Sequence, residues 1–277
     1  MCRVHLDVAT LTHPPVLCYH RIGGPLELGV TRVGRSVFAR QMTALARAGW
    51  RTLSLEEFAR PRTTHQVPRT FLLTFDDGYA ALAEHAYPVL ADLGFTATTF
   101  LITDYIGKTN TWDVRYTWSR LRHLSWGEID KWRGRGFDFA SHGATHRRLT
   151  WLDDATVETE LHRSREVLTS RLGADAGRAI AYPFGAVDER VLRHARNAGY
   201  QLGFGGVRGN GTPLHRSRVP VYLWDVANVP FGLRTDALGA LGRLVAHVAN
   251  RCAVGTTLMQ AVARRKTSPL SESVADA

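Results

Sequence analysis

The stretch FLLTFDDGY at residues 71–79 places two adjacent carboxylates, Asp76 and Asp77, directly after a continuous apolar run. A short apolar run bounded by a turn is typical of a strand that is buried on both faces in a parallel sheet. Carboxylates are costly beside a core unless a cation is near, and α/β folds place their active sites at this end of a strand. The pair therefore indicates either a functional site or an Asp-Asp-Gly turn that caps the following helix.

The rest of the chain alternates between similar apolar runs and segments with helical periodicity. The other predicted strands cover residues 16–19, 97–102, 137–140 and 179–182, and the predicted helices cover residues 37–48, 80–93, 125–133, 153–172 and 188–198. Repeated strand–helix units predict an α/β fold around a parallel sheet, either closed as a barrel or open and doubly wound. The glycine-rich residues 203–211 are predicted to form a flexible loop.

Composition narrows the class of protein. A length of 277 residues favours one large α/β domain, and 44% hydrophobic with 22% charged residues excludes disordered and fibrous proteins. The formal net charge of +10 raises nucleic acid, anionic lipid or an acidic substrate as partners. Because the arginines are spread along the whole chain, we favour a compositional bias over an anionic ligand and expect no nucleic-acid partner.

The ends of the chain bear on location. The cysteines, Cys2, Cys18 and Cys252, are widely separated, which favours free thiols in a reducing compartment. The N-terminus has no apolar signal region, and no apolar run reaches the roughly 18–20 residues that span a bilayer. The sequence therefore predicts a cytoplasmic protein with a catalytic domain at residues 1–235. Residues 236–277 are predicted to be a basic helix and a disordered tail, and this helix either packs on the domain or contacts a membrane surface. No oligomeric state follows from the sequence.

A second polar segment, SHGATH at residues 141–146, again follows an apolar strand and holds His142 and His146. In a helical turn, two histidines four residues apart would project from one face and present two nitrogen ligands to a metal ion. Such a pair alone also arises by chance. Combined with the carboxylate pair, it predicts a three-ligand site with open positions, typical of hydrolytic metal centres. The remaining aspartate would then be free to act as a base on water, whose pKa a divalent ion can lower to around 7.

Three segments carry a family resemblance: TFDDGY at 74–79, SHGATH at 141–146 and AYPFG at 181–185. Their order and spacing resemble those of the polysaccharide deacetylases, carbohydrate esterase family four, also called the NodB homology domain. The resemblance implies an α/β fold, a distorted (β/α) barrel of about seven parallel strands, and removal of acetyl groups from N-acetylated sugars. It also implies that Asp77, His142 and His146 bind one divalent ion, zinc first with cobalt, nickel or manganese as alternatives. Asp76 would be the general base.

The third segment departs from the family pattern. The resemblance assigns the oxyanion hole to a backbone N–H at Phe184, with Tyr182 beside it on the substrate side. Many members have an arginine two residues before the motif proline, where it orients the base, but Ala181 stands there in this chain. Arg178 is close in sequence but out of register, so its role stays open.

The general acid is also not where most members have it, because no late Leu-x-His segment matches the family motif that carries the acid. A subgroup supplies the acid from an N-terminal Tyr-His segment, and VLCYHRI at residues 16–22 resembles that segment. We therefore predict that His20 protonates the departing amine, with His215 as the alternative.

Aromatic side chains lie between the first two motifs. Trp126 and Trp132 occupy helical positions and are predicted to be core, whereas Trp112 lies in a polar stretch and is predicted to contact the sugar. The overall prediction is a metal-dependent deacetylase acting on an acetylated amino sugar in a glycan or glycan precursor. Two alternatives stay open: an O-acetyl esterase or other C–N hydrolase on the same barrel, and a non-catalytic carbohydrate-binding or membrane-associated scaffold.

Overall fold

The computed structural model describes residues 13–24, 31–60, 69–112 and 121–222. The strands are β1 Val16–Tyr19, β2 Arg21–Ile22, β3 Arg32–Val33, β4 Arg51–Thr52, β5 Thr70–Phe75, β6 Thr98–Leu101, β7 Asp138–Ser141, β8 Ala179–Ala181, β9 Leu202–Phe204 and β10 Val219–Pro220. The helices are α1 Arg35–Arg47, α2 Leu55–Ala59, α3 Ala81–His85, α4 Tyr87–Asp92, α5 Trp126–Arg133, α6 Asp154–Leu172 and α7 Glu189–Asn197.

The main sheet is parallel throughout, with the strand order β10-β1-β5-β6-β7-β8-β9, and β4 pairs with the first residues of β5. The segment before β10 approaches β9, because Gly205 N–H donates to Arg216 O and Arg218 N–H donates to Gly206 O. This segment continues into β10, which pairs with β1, so it connects the β9 side of the sheet to β1. The predicted (β/α) barrel fold is confirmed.

Alternation along the strands separates two apolar layers. Val16, Leu72, Phe100 and Ala140 pack together in one cluster, which also contains residues of β8, β9 and α2. Their neighbours in the strands, such as Leu73 at the next position, pack in a second cluster with residues of α1, α4 and α5. Because successive strand side chains point to opposite faces, the first cluster fills the barrel and the second lies under the helices.

Several helices begin at the residues the sequence indicates. Ser125 and Glu128 form a capping box at the start of α5, and the Asp153 carboxylate accepts a hydrogen bond from Thr156 N–H at the start of α6. The predicted helix at residues 80–93 is instead two short helices, α3 and α4, separated at Ala86. Pro88 explains the break. Proline has no backbone N–H to donate to the carbonyl four residues earlier, and its ring clashes with that carbonyl in a continuous helix.

The prediction of a flexible loop at residues 203–211 is wrong at its start, where Gly203 lies within β9. A Cβ at Gly203 would collide with the Leu214 carbonyl oxygen, so the glycine allows a close approach of two backbones. The predicted basic helix and tail at residues 236–277, together with Cys2 and Cys252, lie outside the described residues, and those predictions stay predictions. Among the residues described, no helix has both the length and the apolar character that a bilayer crossing requires.

Candidate metal centre and active site

Polar side chains from three strands meet at one edge of the barrel. His20, Asp76 and His142 each continue the inward-facing alternation just beyond the end of β1, β5 or β7. Strands β1 and β5 run in parallel register, with Tyr19 opposite Phe75, so His20 and Asp76 emerge side by side. This edge is formed by the carboxyl ends of the strands, the usual place for an active site in a parallel barrel.

Asp77 and the two histidines converge on one point. Asp77 Oδ1 lies 3.5 Å from His142 Nε2 and 3.4 Å from His146 Nε2. Donor atoms that bind a tetrahedral zinc ion at about 2.0–2.1 Å are roughly 3.3 Å from one another. The spacing of the three donors therefore fits ligands that share one divalent ion, with at least one position left open.

The local hydrogen bonding also fits a metal ion. Asp77 Oδ1 is buried and has no hydrogen-bond partner among the residues that the structure describes, which is costly for a carboxylate oxygen unless a cation is present. His142 Nδ1 donates to the Ala181 carbonyl oxygen at 2.7 Å, which leaves the Nε2 lone pair free. Burial lowers the pKa of His146 to about 3 although Asp77 opposes the shift, so this ring is neutral and able to bind a metal at neutral pH.

The two histidines do not lie in a helical turn, and that part of the sequence interpretation is wrong. His142 follows the end of β7, and His146 lies in a loop with a φ of 58°. The loop is held by Glu160 of α6, whose carboxylate accepts hydrogen bonds from Ala144 N–H at 3.1 Å and Thr145 N–H at 2.9 Å. The convergence of the histidines therefore depends on loop geometry and a buried carboxylate, not on helical spacing.

Asp76 lies beside the three donors, with 3.8 Å between its Oδ2 and His142 Nε2, and it forms a buried ion pair. Arg218 donates from Nη1 to Asp76 Oδ1 at 2.7 Å and from Nη2 to Oδ2 at 2.8 Å, a bidentate contact between buried side chains. Burial raises the pKa of Asp76, but Arg218, His142 and His20 outweigh it, and the net pKa lies well below its usual range. Asp76 is thus ionised and fixed in orientation.

Arg218 is the candidate site residue that the sequence reasoning missed. It makes the contact with Asp76 that the resemblance leads one to expect of an arginine before the motif proline, whereas Arg178 forms an ion pair with the exposed Asp175. The Arg218 side chain is also held by Gly205, whose carbonyl oxygen accepts from Nε at 3.0 Å. The absence of the motif arginine was a signal that a substitute existed, but an arginine-rich sequence offers many candidates and no means of choosing among them.

His20 lies beside Asp76, with 3.9 Å between its Nε2 and Asp76 Oδ2. Its side chain is partly exposed, so it lies at the rim of the site. Cys18 is buried below it as a free thiol that donates to Asp76 Oδ2 at 3.6 Å, and burial raises the pKa of that thiol. Cys18, His20 and Asp76 are near enough to one another to form a second group of potential metal ligands. Arg218 engages both oxygens of Asp76, whereas Asp77 Oδ1 in the first group has no hydrogen-bond partner among the described residues.

The structure places the remaining predicted site residues around His146. The Phe184 ring lies 4.7 Å from the His146 ring, and Phe184 has a φ of 61°, which is uncommon for a residue with a side chain. Tyr182 is buried and its hydroxyl donates to Leu214 O. Trp112 is only 6% exposed, and its ring lies 3.9 Å from the His146 ring. His215 packs against Gly205, and no contact with Asp76 is recorded for it within the described residues.

Comparisons with known proteins point in the same direction as this geometry. Residues 64–203 match the model of a family described as polysaccharide deacetylase. The protein YxkH of Bacillus subtilis (strain 168) is 30% identical over 213 residues, which cover 74% of this chain and 71% of YxkH. The poly-β-1,6-N-acetyl-D-glucosamine N-deacetylase of Staphylococcus epidermidis is 28% identical over 195 residues, 66% of this chain and 64% of that enzyme.

Among solved structures, the deacetylase PplD of Streptococcus pyogenes in complex with acetate superposes with a TM-score of 0.66 and 25% sequence identity. The superposition covers 76% of this chain and 92% of PplD.

Proposed function

The chain belongs to the polysaccharide deacetylase family, and from this premise we propose that it is a metal-dependent hydrolase that removes N-acetyl groups from N-acetylhexosamine units of a glycan or glycan precursor. The observation that carries the proposal is the arrangement of the two adjacent aspartates. Asp77 lies with His142 and His146 as a set of three donors, while Arg218 engages both carboxylate oxygens of Asp76. One carboxylate is thereby available to a metal ion and the other to a proton.

The metal ion that fits these donors is zinc, with cobalt, nickel or manganese as alternatives for a site of one carboxylate and two imidazoles. When bound, such an ion would polarise the acetyl carbonyl and lower the pKa of a coordinated water. Asp77, His142 and His146 would hold it. Burial of these three side chains supports the proposal, because a water-excluded site strengthens electrostatic interactions with the substrate.

The other residues divide the proton transfers. Asp76, kept ionised by Arg218, accepts the proton of the attacking water. His20, partly exposed at the rim and 3.9 Å from Asp76, donates a proton to the departing amine. The Phe184 backbone N–H stabilises the developing charge on the acetyl oxygen. Breaking the C–N bond in this way yields acetate and a free amino sugar, with one water consumed.

The substrate class rests on two supports. The staphylococcal relative is named for N-deacetylation of a polymer of N-acetyl-D-glucosamine, and the match to it covers 66% of this chain. A general acid at the position of His20 is also needed more for an amine than for an alcohol, because an unprotonated amine is the poorer leaving group. An amide of an amino sugar is therefore preferred over an O-acetyl ester.

The test is acetate release from a panel of N-acetylated oligosaccharides and precursors, measured together with the metal content of each variant. We expect near-complete loss of activity in Asp76→Asn and in His142→Ala, with the metal lost only in His142→Ala. Asp138→Asn is the control for Asp76→Asn, because Asp138 is a partly buried aspartate that lies at the opposite end of its strand from the site.

Separate outcomes would contradict separate parts of the proposal. Acetate release only from O-acetylated sugars would identify an esterase. Full activity in the absence of any bound divalent ion would contradict the proposal that Asp77, His142 and His146 bind a metal needed for the reaction. A protein that binds metal but releases acetate from no substrate would support the scaffold alternative.

A further inference from the structure

His123 is a buried imidazole that the proposed mechanism does not use. It is 2% exposed, its Nδ1 lies 2.8 Å from the Asp77 carbonyl oxygen, and its Nε2 lies 3.2 Å from Trp112 Nε1. A carbonyl oxygen only accepts hydrogen bonds and an indole N–H only donates them. His123 must therefore be neutral, with its proton on Nδ1 and its lone pair on Nε2, and burial favours this form by lowering its pKa.

One end of this hydrogen-bond chain fixes the backbone of a metal ligand. Asp77 has a φ of 67°, in the left-handed region that is uncommon for residues other than glycine, although aspartate adopts it more often than most. The His123 bond to its carbonyl oxygen holds the peptide in place, and the next residue is anchored in the same way, because Leu124 N–H donates to Gly78 O at 2.8 Å. The side chain of Asp77 depends on this backbone conformation for its direction toward the histidines.

The other end contacts the ring of a second metal ligand. Trp112 packs at 3.9 Å from the His146 ring, measured between ring centroids. In contrast to His142, whose Nδ1 is held by a carbonyl oxygen, His146 Nδ1 has no hydrogen-bond partner within the part of the chain that the structure describes. Metal-binding histidines are usually oriented through that second nitrogen. The orientation of His146 therefore depends on the rings packed against it, Trp112 on one side and Phe184 at 4.7 Å.

The Tyr79 ring completes the arrangement. It stacks on the His123 ring at 4.9 Å between centroids and 21° between planes, and its backbone forms an antiparallel bridge with His123. The imidazole is thus held by stacking on one face and by a hydrogen bond at each nitrogen. Such a ring has no free polar atom for a substrate and little room to rotate, so its function is to hold other groups in place.

We propose that His123 and Trp112 are positioning residues of the metal centre, which together fix the backbone of Asp77 and the ring of His146. This inference rests on the proposed metal-dependent function. It gives Trp112 a role other than the sugar contact predicted from the sequence, because a ring that is 6% exposed offers almost no surface on which a sugar could stack.

The experiment measures the affinity of purified protein for Co²⁺, by competition with a chelator, and the visible absorption of bound Co²⁺, which reports ligand geometry. His123→Leu removes both hydrogen bonds, and we expect Co²⁺ to bind about 10–100-fold more weakly, the usual effect of losing an outer-shell partner of a metal ligand. His123→Asn can place an amide donor near the Nδ1 position but cannot reach Trp112, so it should recover part of the affinity. Trp112→Phe keeps an aromatic ring and should show a smaller loss than His123→Leu, with an altered Co²⁺ spectrum.

Trp50→Phe is the matched control, because Trp50 packs against Phe71 near the start of β5, at the other end of the barrel from the site. We expect it to leave Co²⁺ affinity and spectrum unchanged even if the melting temperature falls. Wild-type affinity and spectrum in folded His123→Asn and Trp112→Phe would overturn the inference while the proposed function stands. Failure of the wild-type protein to bind Co²⁺ or Zn²⁺ would instead overturn the proposed function.

Discussion

The ion pair between Arg218 and Asp76 gives the most decisive prediction. Both side chains are buried, at 5% and 3% exposure, and two hydrogen bonds of 2.7 and 2.8 Å join them. Arg218→Met leaves the Asp76 carboxylate buried without its main partner. Removing one member of a buried pair typically costs about 3–5 kcal/mol of stability, because the remaining charge is not compensated. In a domain of this size that corresponds to a fall in melting temperature of roughly 6–20 °C.

A matched variant separates this effect from the loss of any arginine. Arg178 pairs with Asp175, but their side chains are 35% and 88% exposed, and water screens the interaction. Exposed pairs contribute about 0–1 kcal/mol, so we expect Arg178→Met to change stability little. The assay is chemical denaturation at pH 7 combined with kcat/KM for acetate release, and we expect only Arg218→Met to lose both stability and activity.

Two further variants test the assignment to Asp76. Arg218→Lys keeps the charge but not the bidentate geometry, so it should fall between the wild type and Arg218→Met in both stability and kcat/KM. The double variant Asp76→Asn with Arg218→Met should be more stable than the sum of the single losses predicts, by about 1–3 kcal/mol, because neither partner is then left as an unpaired charge. Equal stability and activity in Arg218→Met and Arg178→Met would refute the reasoning.

Three other predictions concern the loop, the metal and a carboxylate remote from the site. Glu160→Ala leaves two buried N–H groups without an acceptor, so unfolding free energy should fall by about 2–3 kcal/mol in denaturant titrations, and metal affinity should fall with it. A chelator should abolish activity, and added Zn²⁺ at 100 times its dissociation constant should raise stability by about 2.7 kcal/mol, a gain that calorimetry should find absent in His142→Ala. Burial raises the pKa of Asp138, and the nearby Glu56 and Glu57 add to this although Leu55 N–H opposes it. The pKa of Asp138 is thus higher in the folded protein than in the unfolded chain. The wild type therefore loses stability as the pH rises above the unfolded pKa of about 4, where the buried carboxyl is forced to ionise. Asp138→Asn should therefore be the more stable protein at pH 7, and denaturation at several pH values should find no difference below about pH 4.

Much of the fold follows from local patterns that act over a few residues. The apolar runs at residues 16–19, 71–75 and 137–140 have the short length and flanking turn residues that favour strands, and each agrees with a strand to within one residue. The prediction of a single helix at residues 80–93 was wrong at Pro88. Proline is known to break helices, but the apolar periodicity on both sides of it favoured one continuous helix. The short strand β9 was missed because its middle residue is a glycine, which sequence patterns associate with loops.

The candidate site divides in the same way. The two histidines and the aspartate pair could be chosen from the sequence because donor residues at strand ends form a recognisable chemical set, and the family resemblance singled out Asp77. The structure brings Asp77, His142 and His146 close together. How they meet was not predictable, since the loop that carries His146 depends on Glu160, which lies 14 residues further along the chain in α6. A helical turn was expected from the spacing alone.

The sequence by itself determined the α/β class of the fold and the candidate donor residues for a metal. Only the tertiary structure decided which arginine holds Asp76 and which residues contact the candidate donors. Arg218 lies 142 residues from Asp76, and His123 lies 46 residues from Asp77. Contacts at such separations leave no periodic trace in a single sequence, because they arise only when the strands are aligned in the barrel and the segment before β10 returns to the edge of β1.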